Sequence, residues 1–184
     1  MSSKRLFVLS VCCLVGIGFF AGCKTTRANS DTNSEAASSG VRNKAKIVHA
    51  VGKCAAADFS KNVMVVLDDK VKNSPNADDA LRYAENALKF AGFTISGNAN
   101  AKVIVDFSEK RSGRRTDMDF TLKANEDGKE VWFARSYCNT KPAPIQDFLP
   151  GLAAGVIPVI GKNMPFSTTN IDKNPQYLNA VYGY

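Results

Sequence analysis

"AKVIVDFSEKRSGRRTDMDFTLKANEDGKEVWFARSYC", residues 101–138, is the stretch whose reading decides the fold. Over 115–124 polar and apolar residues alternate, with Met118, Phe120 and Leu122 on one side and Asp117, Asp119, Thr121 and Lys123 on the other. A period of two is the mark of a strand with one covered face and one wet face. Residues 101–109 set Val103, Val105 and Phe107 together in the same way, and "KEVWFARSYC" (129–138) reads as the returning strand. Between the last two, "EDGK" (126–129) carries the Asp-Gly pair that a tight hairpin turn asks for. The stretch is a meander of three strands, and "FTIS" (93–96) reads as a short strand leading into it.

Upstream, "SPNADDALRYAENALKFAG" repeats Ala77, Ala80, Leu81, Ala84, Ala87, Leu88 and Ala91 at helical spacing. Ser74 or Asn76 is the expected cap, Asp78 and Asp79 suit the N-terminal dipole, and Gly92 ends the helix. "NVMVVLDD" (62–69) is a continuous apolar run of strand length, and "KIVHAVG" (46–52) reads as an extended lead-in. The expected fold is α+β in two layers: an antiparallel sheet of four to five strands packed against one or two helices. Downstream, "PIQDFLPGLAAGVIPVIGKNMP" (144–165) is apolar but broken by Pro150, Gly151, Gly155 and Pro158. It suits a kinked helix over about 146–160 that docks on the sheet; the alternative is a patch for a partner or a membrane surface. The apolar stretch from Phe148 to Gly161 is too short to cross a bilayer. Residues 46–165 then form the domain and 166–184 a mostly irregular tail.

At the other end, Lys4 and Arg5 precede an apolar run from Leu6 to Ala21, the layout of an export signal. "FAGC" places Ala21 and Gly22 directly before Cys23, which resembles the lipobox of bacterial lipoproteins. That resemblance implies cleavage after residue 22, acylation of Cys23 and anchoring in a membrane by several chains, since one chain holds only marginally. Lys24 stands where an aspartate would retain such a protein at the inner membrane, so the resemblance implies the outer membrane, with the domain facing the periplasm. Residues 23–45 are polar and small, a tether of roughly 25 Å r.m.s. span.

Charge and cysteine content follow from that reading. The chain carries 24 basic and 17 acidic residues, net +7, and loss of Lys4 and Arg5 with the signal leaves +5. That moderate charge permits contact with anionic lipid or glycan, and nucleic acid is not an expected partner outside the cytoplasm. Cys12 and Cys13 leave with the signal, Cys23 takes lipid, and Cys54 and Cys138 remain in an oxidising compartment. A disulfide between Cys54 and Cys138 is expected, worth about 4–5 kcal/mol on the chain-entropy model; the alternative is two separately buried thiols.

"ADFSKNVMVVLDD", the helix ending "ALKFAGF", "ANAKVIVDF" and "GKEVWFARS", in that order, resemble a family of bacterial periplasmic lipoproteins known as a domain of unknown function. The likeness runs over roughly 56–165. Asn100-Ala101-Lys102 stands where that family often has Ala-Asp, and the glycine-rich segment near 151–155 departs from it. The resemblance implies the fold and the location, and it implies no catalytic residue.

Groups for chemistry are few. His49 is the single histidine and reads as structural. Sites built from several Cys and His ligands are excluded by count, so no metal and no cofactor is expected. Asp117 and Asp119 share a strand face that suits two oxygen ligands or an acid–base pair, and equally a solvated face whose charges keep register. Lys110, Arg111, Arg114 and Arg115 cluster around Ser112-Gly113, where four cations at a hairpin tip suit anion or partner contact, or simply solubility. The functional reading is a non-catalytic, membrane-anchored envelope accessory or assembly factor with an envelope protein as partner. The alternative is a lipid- or glycan-binding lipoprotein using the basic tip or an apolar pocket. A hydrolase of envelope polymers resting on Asp117 and Asp119 is the third and weakest.

Overall fold

A computed structural model describes residues 43–184. The expected signal peptide (1–22), the lipidation site Cys23 and the first twenty residues of the expected tether lie outside the described residues. The elements run β1 (Ile47–Cys54), β2 (Asn62–Leu67), α1 (Ala77–Phe90), β3 (Thr94–Ile95), β4 (Ala101–Ser112), β5 (Arg115–Glu126), β6 (Lys129–Thr140), α2 (Leu149–Val156), β7 (Met164–Asn170) and α3 (Pro175–Tyr182). All seven strands join one sheet in the order β3-β2-β4-β5-β6-β1-β7.

The α+β class stands, but the expected antiparallel sheet of four to five strands under one or two helices does not. The sheet has seven strands, is mixed, and carries three helices. The mixture has a simple cause. Strand β2 reaches β4 through α1, and a crossover brings the chain back parallel. Val65 accordingly sits beside Val103 and Leu67 beside Val105 in parallel register, and β3 pairs with β2 the same way. The predicted lead-in is β1, an interior strand between β6 and β7. The expected irregular tail holds most of β7, the other edge of the sheet, and α3.

The meander follows its alternation. Phe107 lies opposite Phe120, and Leu122 lies between Val105 and Ala134, all buried on the helix side. Asp127 and Gly128 have φ of 50° and 77°, the two positive values of a type I′ turn. In the other hairpin Gly113, at φ 59°, takes the first place of the two-residue loop Gly113-Arg114, which only glycine fills without strain.

Helix α1 buries Ala80, Tyr83, Ala84, Ala87 and Leu88 against the parallel end of the sheet. Its expected side-chain cap is not made; Ser74 Oγ instead accepts the Asn76 N–H at 3.3 Å. Every residue of α2 is buried, so the 146–160 region covers its own sheet. It sits close because Gly155 has no side chain: a Cβ there would lie 2.5 Å from Val48 Cγ1. Ser136 Oγ donates to the Leu152 carbonyl at 2.6 Å, tying α2 to β6. Trp132 is 1% exposed and packs edge-on against Phe93 at 5.6 Å.

The expected Cys54–Cys138 disulfide is not made; both thiols are free. Register explains why. Cys54 pairs with Trp132 across β1 and β6, and Cys138 lies six residues further along β6. At about 3.4 Å per residue the two are about 20 Å apart, whereas a disulfide needs Cα atoms within about 7 Å. Cys54 donates to the Ala56 carbonyl at 3.0 Å, and Cys138 is buried among the core side chains.

Candidate functional site

The β4–β5 hairpin runs to its turn at one end of the sheet and carries Lys110, Arg111, Arg114 and Arg115 there, all exposed. The sequence grouping of these four is therefore also a grouping in space. Strand alternation divides them. Lys110 and Arg115 stand on the face away from the helices, Arg111 on the helix side, and Arg114 in the turn. Arg115 Nη1 donates to Asn139 Oδ1 at 2.6 Å, and Asn139 Nδ2 donates to Asp117, which fixes the open-face side of the tip to β6. Arg111 Nε lies 3.8 Å from Glu109 Oε1 with 72% of its side chain exposed, an ion pair worth little in water. Lys141 follows Thr140, which pairs with Thr116, so a fifth exposed cation joins the same end. Beside the tip on the helix side is a depression of about 460 Å³ lined by Asn76, Glu109, Arg111, Pro144, Ile145 and Gln146.

The chain enters the domain at that same end. Ile47 begins β1 two residues before His49, whose partner Tyr137 lies two residues before Asn139, and Asn139 pairs with Asp117 near the tip. The entering segment is held: Lys44 N–H donates to the Asp147 carbonyl at 2.7 Å, and Lys44 Nζ pairs with Asp147 Oδ2 at 2.6 Å.

The helices pack against one face of the sheet, and the opposite face carries a band of aromatic and polar groups. His49 pairs with Tyr137 on one side and Thr168 on the other, and Tyr137 pairs with Asp119. The His49 ring is 5.4 Å from Tyr137 and 5.5 Å from Phe166, which is 59% exposed. His49 Nδ1 and Thr168 Oγ1 are hydrogen-bonded at 3.0 Å. Arg135 lies 5.4 Å over the Tyr137 ring, and its Nε donates to Asp119 Oδ1 at 2.7 Å. Asp117 and Asp119 thus share one face, as their spacing implies, but each is engaged by a polar neighbour. Among the described residues no three His, Cys, Asp or Glu side chains converge as a metal site.

Cys138 lies under this face. Burial, with the Asp119 and Asp117 carboxylates adding to it, pushes its thiol from the usual 9.0 up to about 11. It is a core side chain, held as the neutral thiol. The aromatic band escaped the sequence reading because His49 and Phe166 sit on β1 and β7. Tyr137 and Arg135 were within reach, since alternation along β6 puts them opposite Trp132 and Ala134.

No protein-family model and no curated protein matches the chain. Among solved structures it is similar to a PelC dodecamer from Paraburkholderia phytofirmans, at 16% identity and a TM-score of 0.44 over 62% of this chain and 98% of that one. It is likewise similar to a point variant of the same protein, at 18% identity and a TM-score of 0.44 over 61% and 98%.

Proposed function

We propose that the chain is a lipid-anchored, non-catalytic accessory of the outer envelope that engages a protein partner through its basic hairpin tip. The observation that carries this reading is that the chain enters β1 at the end of the sheet where the four tip cations project. A tether from Cys23 would therefore draw that end toward the membrane surface. The partner is an envelope protein with an acidic surface near the bilayer, and the depression beside Arg111 offers a seat for one of its side chains. Arginine suits this role because its planar fork pairs with carboxylates in two parallel bonds.

The same placement favours a second reading, in which the tip rests on lipid phosphates and sets the orientation of the domain. A photo-crosslinking residue in place of Arg114, used in intact cells, separates the two. A discrete protein adduct supports the first reading and lipid adducts alone support the second. Asp127, in the turn between β5 and β6 at the opposite end of the meander, is the control position. Equal labelling from both positions overturns both readings. Cys23→Ser tests the anchor: the lipoprotein reading requires the variant to leave the membrane fraction.

A further inference from the structure

We infer that the outer edge of β4, from Phe107 to Arg111, takes an added strand: an extended, acidic segment of the protein partner pairs with it backbone to backbone. This deepens the reading of the tip as a protein contact and rests on it. Strand β2 accompanies β4 only from Ala101 to Val105, and the chain then leaves the sheet as the Asp68 N–H donates to the Val105 carbonyl at 2.8 Å. That bond fixes which way the backbone groups of β4 point. Val105 faces β2, and the register with β5 runs without a shift from there to the turn. Phe107, Glu109 and Arg111 therefore direct their N–H and C=O groups away from β5, while Ser108, Lys110 and Ser112 direct theirs into the β5 ladder. Among the described residues nothing pairs with the outward groups of Phe107, Glu109 and Arg111, and Glu109 and Arg111 are exposed. Donor and acceptor groups recurring along a line at about 6.8 Å match the backbone of an extended peptide. A single lipid phosphate or acidic side chain cannot satisfy such a row.

The side chains along the edge choose the strand. Those of an added strand alternate between the two faces of the sheet. On the helix side they meet Glu109, Arg111 and the depression that Asn76, Ile145 and Gln146 help to line; on the open face they meet Ser108 and Lys110. Main-chain bonds then supply affinity, and the depression and the cations supply selection. Charge argues against a second copy as the added strand. Two β4 edges side by side would set Lys110 and Arg111 of one hairpin near those of the other, with only Glu109 to offset them. Like charges facing each other across strands destabilise the pair. Cations on an open edge guard it against self-association, and a strand carrying aspartate or glutamate turns that guard into attraction.

The probe is an octapeptide of alternating threonine and glutamate, with the threonine–lysine octapeptide as its cationic counterpart. Each is added to the full chain in detergent while amide hydrogen exchange is followed by NMR. The expected result is an alternating pattern: the acidic peptide slows exchange at Phe107, Glu109 and Arg111 by about tenfold or more, and adds little at Ser108 and Lys110, already bonded to β5. Glu109→Pro deletes one outward N–H and leaves the β5 ladder whole, because proline is tolerated where its N–H would face solvent. It should weaken binding of the acidic peptide at least tenfold. Glu109→Gln keeps the N–H and sheds the negative charge, so it should bind that peptide at least as tightly. Circular dichroism checks that both variants fold, and the exchange pattern of the wild type decides the matter without them. In cells, Glu109→Pro should also abolish the protein adduct formed by the photo-crosslinking residue at position 114. An adduct that persists in Glu109→Pro overturns strand addition and leaves the tip contact standing; no protein adduct from the wild type overturns both. Strand addition is likewise overturned if the acidic peptide protects none of the three amides at millimolar concentration, or if the cationic peptide protects them equally.

Discussion

Replacing Gly155 with alanine reports directly on how α2 sits on the sheet. In an open helix the change stabilises by about 1 kcal/mol, because alanine is the better helix former. Here the new methyl would lie 2.5 Å from Val48 Cγ1, 3.1 Å from Val48 Cβ and 3.4 Å from Ser136 Cβ. Val48 is fully buried and β-branched, so it cannot swing aside. The helix must lift instead, and lifting stretches the 2.6 Å bond from Ser136 Oγ to the Leu152 carbonyl. Overpacking costs about 1–3 kcal/mol and a weakened buried hydrogen bond about 1 kcal/mol. Set against the propensity gain, the net loss is about 1–3 kcal/mol, a fall in Tm of about 3–10 °C for a domain of this size. Urea and thermal unfolding of Gly155→Ala, Val48→Ala and the double variant would measure it. The double variant should cost less than the sum of the singles, since removing the Val48 methyls opens room for the new one. A neutral or stabilising Gly155→Ala, or strictly additive singles, would refute this packing.

Four further outcomes follow from the fold. Reductant should leave Tm unchanged, because Cys54 and Cys138 are free; a fall in Tm with dithiothreitol would show that they are bridged. Burial raises the Cys138 thiol to about 11, so the unfolded chain ionises first. The stability this group contributes is present below about pH 9 and lost as pH rises through about 11; Cys138→Ala should flatten that part of the curve. Asp127→Asn should stabilise by a few tenths of a kcal/mol, since Asn-Gly suits a type I′ turn at least as well; a loss above about 1 kcal/mol in urea unfolding would contradict the turn assignment. Trp132→Ala should cost about 3–5 kcal/mol. Trp132→Phe should cost clearly less, because the indole N–H has no protein partner to lose; equal losses in thermal unfolding would contradict that.

How legible the fold was depended on how much apolar signal each element carries. Helix α1 and the β4–β6 meander bury large side chains at regular spacing, and both were readable, down to the Asp127-Gly128 turn. The buried side of β1 is Val48, Ala50 and Gly52, small because the chain at 155–162 lies directly on it; a Cβ at Gly52 would be 2.6 Å from the carbonyls of Val159 and Lys162. Small residues give a weak period, so an interior strand resembled a lead-in. Strand β7 is an edge whose one buried residue is Thr169, with Pro165 near its start, and nothing in "MPFSTTN" alternates strongly. Helix α3 had its punctuation in view, with Pro175 in its first turn and Gly183 at φ 88° after it, but it is eight residues long. The disulfide was inferred from compartment and cysteine number, and neither carries register. The basic tip was legible because its four cations are neighbours in sequence. The aromatic band was not, because it is assembled from three strands of which two were unassigned.

Contact through the tip is tested most directly by crosslinking in intact cells, then quantitative mass spectrometry of what co-purifies with the lipidated chain. The wild type is compared with the chain in which Lys110, Arg111, Arg114 and Arg115 are all glutamine. One stoichiometric envelope protein with the wild type, lost with the variant while the domain stays folded and membrane-bound, is the predicted result. The same partner at the same ratio with both chains would contradict it.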